Sequence, residues 1–424
     1  MFHLYLNNEL AGKLEIDKNQ RMSFSYYEAY IDRYSVPVSY AMPLATGIPP
    51  TVFHDEVVFP FIENLMPEES MRLKIQKRNN VPEGDLGRLI ELMAGDMAGA
   101  ISILPIGVEP EGRNEAPLTK PKLNKILLDT NSSPFNLDND NGRRVGLAGA
   151  QNKLPVTILN NLIYLTSDKS STHILKPESE KIEFGQLVYN EFFCMNLCKR
   201  VGINTAGASL IEVLNKDGIE SDCLSVERYD RNIQGGLVTK IHQEDFCQLN
   251  GHLSSKKYDT GIGIDFFDLI AFIKERCISP QLDTKQIVNL YIFNLVIGNR
   301  DAHAKNISFL YHNDGGIALA PAYDLVCTEV FDTLSREITM PVNGKATITE
   351  INSGDLRSVS EEIGMPYKDF TKNVDLLMES IKGQSQEILH EMEDMNLYED
   401  SIKHIKQILA IIRDNSRILT SILK

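Results

Sequence analysis

The pattern of apolar and polar positions changes along the chain. Over residues 1–105, short runs typical of strands alternate with turn signals such as LNNELAG and DKNQRM, and one or two helices are expected around 62–95. Residues 106–142 are rich in Pro, Asn, Asp and Glu, as in EPEGRNEAPLTKPK and NSSPFNLDNDNG. This composition predicts a linker after a β-rich first domain.

A mixed region and then a helical region follow this linker. Strand patterns alternate with a helix at about 184–201 within residues 143–232, and helical patterns dominate residues 233–424. In the last helix the apolar residues recur at steps of three and four, and they are Ile402, Ile405, Ile408, Leu409 and Ile412. This spacing predicts one buried face, and a partner-binding face is the alternative.

Length and composition are those of a globular protein with two or three domains. The chain has 424 residues, of which 42% are hydrophobic and 24% charged. No apolar run approaches the roughly 18 residues needed to span a bilayer, and the start, MFHLYLNNEL, does not have the pattern of a secretory signal. We therefore expect a cytoplasmic protein. The six cysteines lack metal-ligand spacing, which favours their burial as small hydrophobic side chains.

The strongest chemical signal is the run NRDAHAKN at 299–306, followed by Asp324 in PAYDLV. Enzymes that transfer the terminal phosphate of ATP carry an Asp, an Asn five positions later and a second Asp in this order. Asp301 could deprotonate the acceptor hydroxyl, and Asn306 with Asp324 could hold Mg²⁺, which prefers oxygen ligands. Asp and Asn also crowd loops for turn and capping reasons, which is the alternative interpretation.

Two segments upstream could supply phosphate contacts. THILKP at 172–177 is a short strand pattern that ends in Lys176, and kinases use a strand lysine to reach the phosphates. GLAGAQNK at 146–153 has small residues whose backbone N–H groups can approach phosphate oxygens, with Lys153 as an added charge. The alternatives are an ordinary edge-strand lysine and a small-residue hairpin turn.

The segment CLSVERYDR at 223–231 has the pattern of a strand that leads into a polar connection. In a two-lobed kinase the chain crosses between lobes here, and the backbone near Glu227 and Tyr229 would meet the adenine edge. The alternative is a solvated salt-bridge cluster of little energetic value, formed by Glu227, Arg228, Asp230 and Arg231. The order of all these segments, more than any single one, favours a kinase.

These strings resemble those of the HipA family, the serine/threonine-kinase toxins of HipA/HipB toxin–antitoxin modules. The resemblance rests on LAGAQNK, HILK, YNEFF, VERYDR, QEDFCQ, GNRDAHAKN and PAYDL, and, in the first hundred residues, on YLNNELAGKL, PVSYAMPL, FIENLMPEE and DLGRLIELMAGDMAGAISILP. It spans about residues 2–330. It implies an α+β, two-lobed protein-kinase-like fold with an N-terminal β-rich domain, a small nucleotide lobe at 143–232 and an α-helical large lobe at 233–424.

The resemblance also implies roles for individual residues. Asp301 would be the catalytic base, Asn306 and Asp324 the metal ligands, and Glu191 an acidic partner of Lys176, with a solvated helix glutamate as the alternative. The nucleotide contacts would be Ala148, Gly149, Ala150, Gln151, Asn152 and Lys153 in the phosphate loop, Lys176, the hinge residues Glu227, Arg228 and Tyr229, and finally His303, Ala304, Lys305, Asn306, Tyr323 and Asp324. The implied cofactors are ATP and Mg²⁺.

One position departs from the family pattern. Members commonly carry a serine two positions before the A-G-A-Q run, and phosphorylation of that serine expels the phosphate loop. Gly146 stands there in this chain and has no hydroxyl. Either the protein does not inactivate itself, or another hydroxyl such as that of Ser132, Ser133 or Thr166 takes this role.

The family implies a toxin that phosphorylates Ser or Thr of a translation-related protein, for which the precedent is an aminoacyl-tRNA synthetase. It also implies a HipB-like helix-turn-helix antitoxin as the partner that binds DNA. The formal net charge of −15 is compatible with this division, since nonspecific DNA affinity comes from neutralised phosphates. The alternatives are a non-catalytic corepressor that holds a HipB-like protein on DNA, and a small-molecule kinase, because the fold does not dictate a protein acceptor.

Overall fold

The computed structural model describes residues 1–45, 51–93, 95–110, 116–129, 152–165, 170–179, 184–215, 218–257, 264–395 and 397–424. The chain divides into two units. The first comprises Met1–Pro177, Ile211–Ser254 and Phe309–Ile317, and the second comprises Glu178–Leu210, Ser255–Ser308 and Ala318–Lys424. Each unit therefore combines segments that are distant in sequence.

Strands prevail before residue 250 and helices after it. The strands are β1 (Phe2–Leu6), β2 (Glu9–Ile16), β3 (Met22–Tyr26), β4 (Val52–Phe53), β5 (Ile101–Pro105), β6 (Leu154–Leu159), β7 (Leu162–Leu165), β8 (His173–Lys176), β9 (Ala208–Leu214), β10 (Glu220–Glu227), β11 (Arg231–Gln234), β12 (Leu237–Lys240), β13 (Gln243–Asp245), β14 (Ser308–Tyr311) and β15 (Ile317–Leu319). The helices are α1 (Glu28–Ile31), α2 (Asp55–Leu65), α3 (Glu69–Arg78), α4 (Leu86–Met93), α5 (Lys120–Asp129), α6 (Leu187–Arg200), α7 (Phe246–Leu249), α8 (Phe266–Arg276), α9 (Pro280–Ile297), α10 (Ser353–Glu362), α11 (Tyr367–Asp394) and α12 (Glu399–Leu423).

The first sheet of the first unit has the strand order β4-β3-β2-β1-β5. A two-residue turn at Asn7 and Asn8 joins β1 to β2, and its φ angles of 51° and 67° are the left-handed values that such hairpins require. Apolar residues of α2 and α4 share one core with this sheet. The β-rich N-terminal region is thus confirmed. Three helices, however, occupy the region where one or two were expected, because Pro67 and the polar segment 79–84 interrupt the helical pattern.

The second sheet has the order β7-β6-β8-β10-β9. Its strands β6, β8 and β10 confirm the three strands predicted from LPVTIL, THILKP and CLSVERYDR. Leu123 and Leu127 of α5 share a core with Leu154, Leu175 and Cys223 of the sheet. The predicted linker over 106–142 therefore contains a packed helix. The composition of the whole segment is polar, which concealed the short apolar run LNKILL.

Helices build the core of the second unit, as predicted. Pro280 opens α9 and Gly298, with a φ of 72°, follows its last residue; both residues are favoured at those helix ends. On α12, Ile405, Ile408 and Ile412 are buried, which confirms the predicted apolar face. All six cysteines are buried thiols, as expected for small hydrophobic side chains. Among the helices of the described ranges, none combines the length and apolar character that crossing a bilayer requires.

Candidate active site

The candidate catalytic loop begins where α9 ends, and polar groups within the loop hold its backbone. The Asn299 side chain accepts a hydrogen bond from Asp301 N at 3.1 Å and donates one to Asn294 Oδ1 at 3.1 Å. The Asp301 carbonyl accepts from His303 N at 2.9 Å and from Asn306 Nδ2 at 3.0 Å. Asp301 therefore contributes its backbone to the loop, while its side chain is 52% exposed.

His303 lies beside the Asp301 carboxylate but does not neutralise it. Nε2 of His303 is 3.9 Å from Asp301 Oδ1. Burial and the charge of Lys257 lower the pKa of His303 to about 3, although Asp324 acts in the opposite direction. The imidazole is therefore neutral at pH 7 and adds no positive charge beside the Asp301 carboxylate.

Tyr323 connects the second aspartate to the same loop. Its hydroxyl donates to Lys305 O at 2.8 Å and lies 2.8 Å from Ser308 Oγ. Lys305 and Ser308 stand on either side of Asn306 in the sequence. Asp324 follows Tyr323 and has a φ of 56°, a left-handed conformation that Asp and Asn adopt more readily than other side chains. Hydrogen bonds thus tie the loop that carries Asn306 to the loop that carries Asp324.

The oxygen atoms of these two loops fit Mg²⁺. Because Asn306 Nδ2 donates to the Asp301 carbonyl, the amide oxygen of Asn306 is the atom that can bind a metal. Asp324 adds a carboxylate, and Mg²⁺ is usually bound through one or two carboxylates together with phosphate oxygens and water. In the described part of the chain, no three His, Cys, Asp or Glu side chains gather into a metal-binding group. The pair suits a metal ion whose other ligands come from a nucleotide and water.

Three residues that were not predicted from the sequence, Arg300, Thr328 and Glu329, support this site. Arg300 N donates a hydrogen bond to Thr328 Oγ1 at 2.8 Å, and Nε of the Arg300 guanidinium group donates one to Glu329 Oε1 at 3.2 Å. Arg300 is buried and directly precedes Asp301. Its position in NRD matches the arginine of the kinase H-R-D pattern and could have indicated it. Thr328 and Glu329 lie 28 and 29 residues beyond Arg300, without any local signal.

Gly298 is required where α9 meets the catalytic loop. Its φ is 72°, and a Cβ at this position would lie 2.5 Å from Glu329 Oε2 and 2.9 Å from Ile411 Cγ2. We expect Gly298→Ala to lower the free energy of unfolding through two effects. The left-handed backbone costs about 1–2 kcal/mol, and overpacking costs about 1–3 kcal/mol. The measurement is the free energy of unfolding in urea.

Gly364 provides the matched control for this prediction. It also has a left-handed φ, of 68°, but a Cβ there would meet nothing within 4 Å. Gly364→Ala should therefore lower the free energy of unfolding only by the cost of the left-handed backbone, about 1–2 kcal/mol. Equal losses for the two variants would contradict the role given to the close approach of Glu329.

In the first unit, the predicted phosphate lysine and the first hinge residue, Glu227, end two paired strands. Lys176 is the last residue of β8 and is 7% exposed. β8 pairs with β10 in a register that places Lys176 opposite Leu224 and His173 opposite Glu227. Asn152 and Lys153 directly precede β6. Ala148, Gly149, Ala150, Gln151 and Gly146 lie outside the described residues, as do Ser132, Ser133 and Thr166.

Arg228 belongs to a buried charge cluster formed by Asp96, Arg228, Asp230, Arg231 and Lys240. Arg228 Nη2 is 2.7 Å from Asp230 Oδ2, Arg231 Nη2 is 2.9 Å from Asp96 Oδ1, and Lys240 Nζ is 3.6 Å from Asp96 Oδ1. The side chains are at most 4% exposed. The alternative of a solvated cluster is therefore wrong for Arg228, Asp230 and Arg231. Glu227 is exposed.

Asp96 holds the centre of this cluster. Burial acts to raise the pKa of Asp96, but Arg231, Arg228 and Lys240 hold it well below its usual range. Burial lowers the pKa of Lys240 to about 8, and the Asp96 carboxylate opposes this shift. The Arg228 side chain is thus committed to the cluster, and only its backbone remains suited to the predicted hinge contact.

Glu191 on α6 is 1% exposed. The alternative interpretation, a solvated glutamate on a helix surface, is therefore wrong. Burial of an acidic side chain requires partners that satisfy its oxygens, which is compatible with the structural or catalytic role that the family resemblance implies. Its assignment as the partner of Lys176 stays a prediction.

The α+β fold and the loops of Asp301 and Asp324 define a protein-kinase-like protein. Residues 2–104 match the family model of the HipA N-terminal domain, and residues 145–394 match that of the HipA-like C-terminal domain. The chain belongs to the HipA family. Asp96 lies in the first of these matched regions, whereas Arg228, Asp230, Arg231 and Lys240 lie in the second, so the buried charge cluster joins the two.

Relatives and a solved structure agree with this assignment. The chain is 30% identical over 420 residues, 97% of each protein, to a Sinorhizobium fredii protein named Putative kinase Y4mE. It is 27% identical over 423 residues to the serine/threonine-protein kinase toxin HipA of Shewanella oneidensis, covering 96% of this chain and 94% of that one. The solved complex of Shewanella oneidensis HipA with HipB and operator DNA matches with a TM-score of 0.77 and 26% identity, over 98% of this chain and 97% of the other. The predicted two-lobed kinase-like fold is thereby confirmed.

Proposed function

We propose that this protein is the kinase toxin of a toxin–antitoxin module and transfers the γ-phosphate of ATP to Ser or Thr of a translation-related protein. The observation that carries the proposal is the pair of hydrogen-bonded loops with Asp301, Asn306 and Asp324. Phosphoryl transfer uses these residue types in this order. Membership of the HipA family and the similarity to a named kinase toxin support it.

In the proposed reaction, Asp301 accepts the proton of the acceptor hydroxyl. The hydroxyl oxygen forms a bond to the γ-phosphorus, and the bond from that phosphorus to the β–γ bridging oxygen breaks and releases ADP. The 52% exposure of the Asp301 side chain suits an acceptor that arrives on another protein. Asn306 and Asp324 would hold Mg²⁺, which when bound neutralises phosphate charge.

The proposed nucleotide contacts lie in separate segments of the sequence. The backbone of Ala148 to Lys153 and the Lys176 ammonium group would contact phosphate oxygens, and the hinge backbone would contact adenine. The remaining residues belong to the catalytic loop and to the segment of Asp324. The complete set is Ala148, Gly149, Ala150, Gln151, Asn152, Lys153, Lys176, Glu227, Arg228, Tyr229, His303, Ala304, Lys305, Asn306, Tyr323 and Asp324.

The proposed partner is a HipB-like helix-turn-helix antitoxin. The similar HipA of Shewanella oneidensis was solved with HipB and operator DNA. This chain has a net charge of −15, so we assign DNA contact mainly to the antitoxin. The same complex favours the second candidate function, a corepressor that turns over no ATP.

Phosphoproteomics after brief expression tests the proposal and distinguishes it from its alternatives. Cells expressing the wild type should gain phosphoserine or phosphothreonine on a translation-related protein, and cells expressing Asp301→Asn should not. Identical phosphopeptides in the two cultures would exclude the kinase function. Recovery of a HipB-like protein together with the chain would then support the corepressor function. Transfer of label from ATP only to small metabolites would instead establish a small-molecule kinase.

Gly146 leads to a prediction about regulation. Because glycine has no hydroxyl, we expect the ATP-incubated wild type to gain no phosphate by intact-mass spectrometry and to keep its activity. Gly146→Ser restores the hydroxyl of the family pattern and is the control, expected to gain one phosphate and lose activity. A stoichiometric phosphate on the wild type, with loss of activity, would show that another residue serves as the switch.

A further inference from the structure

Asn190, on the first turn of α6, is fully buried and binds the backbone of Cys327. Its Oδ1 accepts a hydrogen bond from Cys327 N at 2.8 Å, and its Nδ2 donates one to Cys327 O at 3.1 Å. The two residues are 137 positions apart. Cys327 stands three residues after Asp324. One side chain therefore satisfies both backbone groups of the segment that follows the candidate metal ligand.

The amide of Asn190 has no spare hydrogen-bonding capacity. Oδ1 also accepts from Cys194 Sγ at 3.6 Å, and Nδ2 lies 3.2 Å from His404 Nε2. Burial lowers the pKa of His404 to about 4, so the ring is neutral and Nε2 can accept. An asparagine amide offers two acceptor and two donor positions, and all four are used. If the amide were flipped, Nδ2 would face Cys327 N and two donors would meet. The orientation of the amide is therefore fixed.

The same segment continues into the support of the catalytic loop. Thr328, next to Cys327, accepts from Arg300 N at 2.8 Å and donates to Gly298 O at 3.2 Å through its hydroxyl. Glu329 N also donates to Gly298 O, at 3.0 Å. A continuous set of hydrogen bonds thus runs from α6 through residues 327–329 to the residue that precedes Asp301.

Asp324 needs such support because its backbone is strained. A non-glycine residue in the left-handed region, here with a φ of 56°, costs free energy and persists only when its surroundings enforce it. Tyr323 is held on one side through Lys305 O. On the C-terminal side of Asp324, the Asn190 side chain binds the backbone of Cys327, three residues further along the chain.

We propose that Asn190 is a positioning residue that, through the Cys327 backbone, sets the Asp324 carboxylate for Mg²⁺ and nucleotide. Asn190 itself touches neither. The inference rests on the proposed function, in which Asp324 is a metal ligand. A purely structural asparagine would affect the stability of the fold, whereas a positioning residue also changes how strongly Mg²⁺ improves nucleotide binding.

The test is calorimetric titration of ADP into the full-length chain, with MgCl₂ and with EDTA. Removing groups that orient metal ligands typically costs about 10–100-fold in metal affinity. Asn190→Ala should therefore lose about 10–100-fold of the improvement that Mg²⁺ gives to the ADP affinity, while metal-free ADP binding stays at the wild-type value. If the alanine variant does not fold by circular dichroism, the isosteric Asn190→Asp, which loses the two donated hydrogen bonds, takes its place and should show the same change.

Asn196 on the same helix gives the matched control. Its Nδ2 donates to Phe192 O at 2.8 Å and to Ala208 O at 3.5 Å, away from residues 324–329. Asn196→Ala should keep the full effect of Mg²⁺. Wild-type Mg²⁺ dependence in the Asn190 variant, or an equal loss in the Asn196 variant, would overturn the inference alone. Absence of Mg²⁺-dependent ADP binding in the wild type, or its persistence in Asp324→Ala, would overturn the proposed function together with the inference.

Discussion

Asp301→Asn should lower the rate of phosphate transfer by about 10²–10⁴-fold, the usual contribution of a general base. This corresponds to about 3–5 kcal/mol in the activation free energy. Asparagine has nearly the shape of aspartate but cannot accept the proton of the acceptor hydroxyl. The hydrogen bonds of Asp301 with Asn299, His303 and Asn306 use its backbone atoms and remain possible in the variant. The expected loss is therefore one of activity, with the backbone hydrogen bonds of the loop retained.

The measurement is transfer of labelled phosphate from ATP to a protein acceptor under single-turnover conditions. Asp332→Asn is the matched control, because it makes the same chemical change in the same unit at a fully exposed side chain. The control should keep the wild-type rate. Wild-type transfer by the Asp301 variant would remove this residue as the base and leave the D-x-x-x-x-N spacing as an ordinary loop feature.

Asp96→Ala should destabilise the protein by about 3–5 kcal/mol, the usual effect of removing one partner from a buried ion pair. Asp96 is fully buried and accepts charge-assisted contacts from Arg231 at 2.9 Å and from Arg228 at 3.4 Å. Without it, two guanidinium groups and Lys240 would share the single carboxylate of Asp230. Unpaired buried charge, more than the lost contacts themselves, causes the expected effect.

Urea unfolding of the full-length chain measures this loss, with Glu212→Ala as the control. Glu212 forms a 2.5 Å ion pair with Lys120, but the two side chains are 58% and 51% exposed. An exposed pair contributes about 0–1 kcal/mol, so the control should remain close to the wild type. A similar small change in the Asp96 variant would show that solvent reaches the cluster.

The pH dependence of stability gives a second check on Asp96. Its pKa is lowered in the folded protein, so its contribution to stability is present above the unfolded-state value of about 3.9 and is lost as the pH falls below it. Between about pH 5 and pH 3, the free energy of unfolding of the wild type should therefore fall more steeply than that of Asp96→Ala. Parallel curves for the two proteins would contradict the role given to this carboxylate.

Features that depend on neighbouring residues were predicted well. The strand of THILKP, the strand of CLSVERYDR and the apolar face of α12 follow from local periodicity, and all three are present. In the NRDAHAKN loop the Asn306 side chain bonds to Asp301 only five residues away, while the catalytic role of this loop stays a prediction. Such spacing is visible in the sequence since the interacting groups lie within one loop.

Features that depend on distant residues were missed or misjudged. The alternative interpretation of Arg228 and Arg231 was a solvated cluster. It was wrong because their partner Asp96 lies 132 and 135 residues away in the sequence. Helix α5 was hidden in a polar segment, and its burial depends on a sheet formed by later residues. The burial of Glu191 could not be predicted, because helical position alone does not reveal which face of a helix is covered.

Local sequence patterns were sufficient to indicate which residue types could carry phosphoryl transfer, in which order they occur and which family the chain resembles. These properties are local, since they depend on spacing within short segments. The folded structure was needed to show that Arg228 is committed to a buried charge cluster, that Gly298 faces Glu329, and that Asn190 binds the backbone beyond Asp324. Each depends on contacts between residues that are 31 to 137 positions apart. Burial and hydrogen bonding over such separations exist only after the chain has folded.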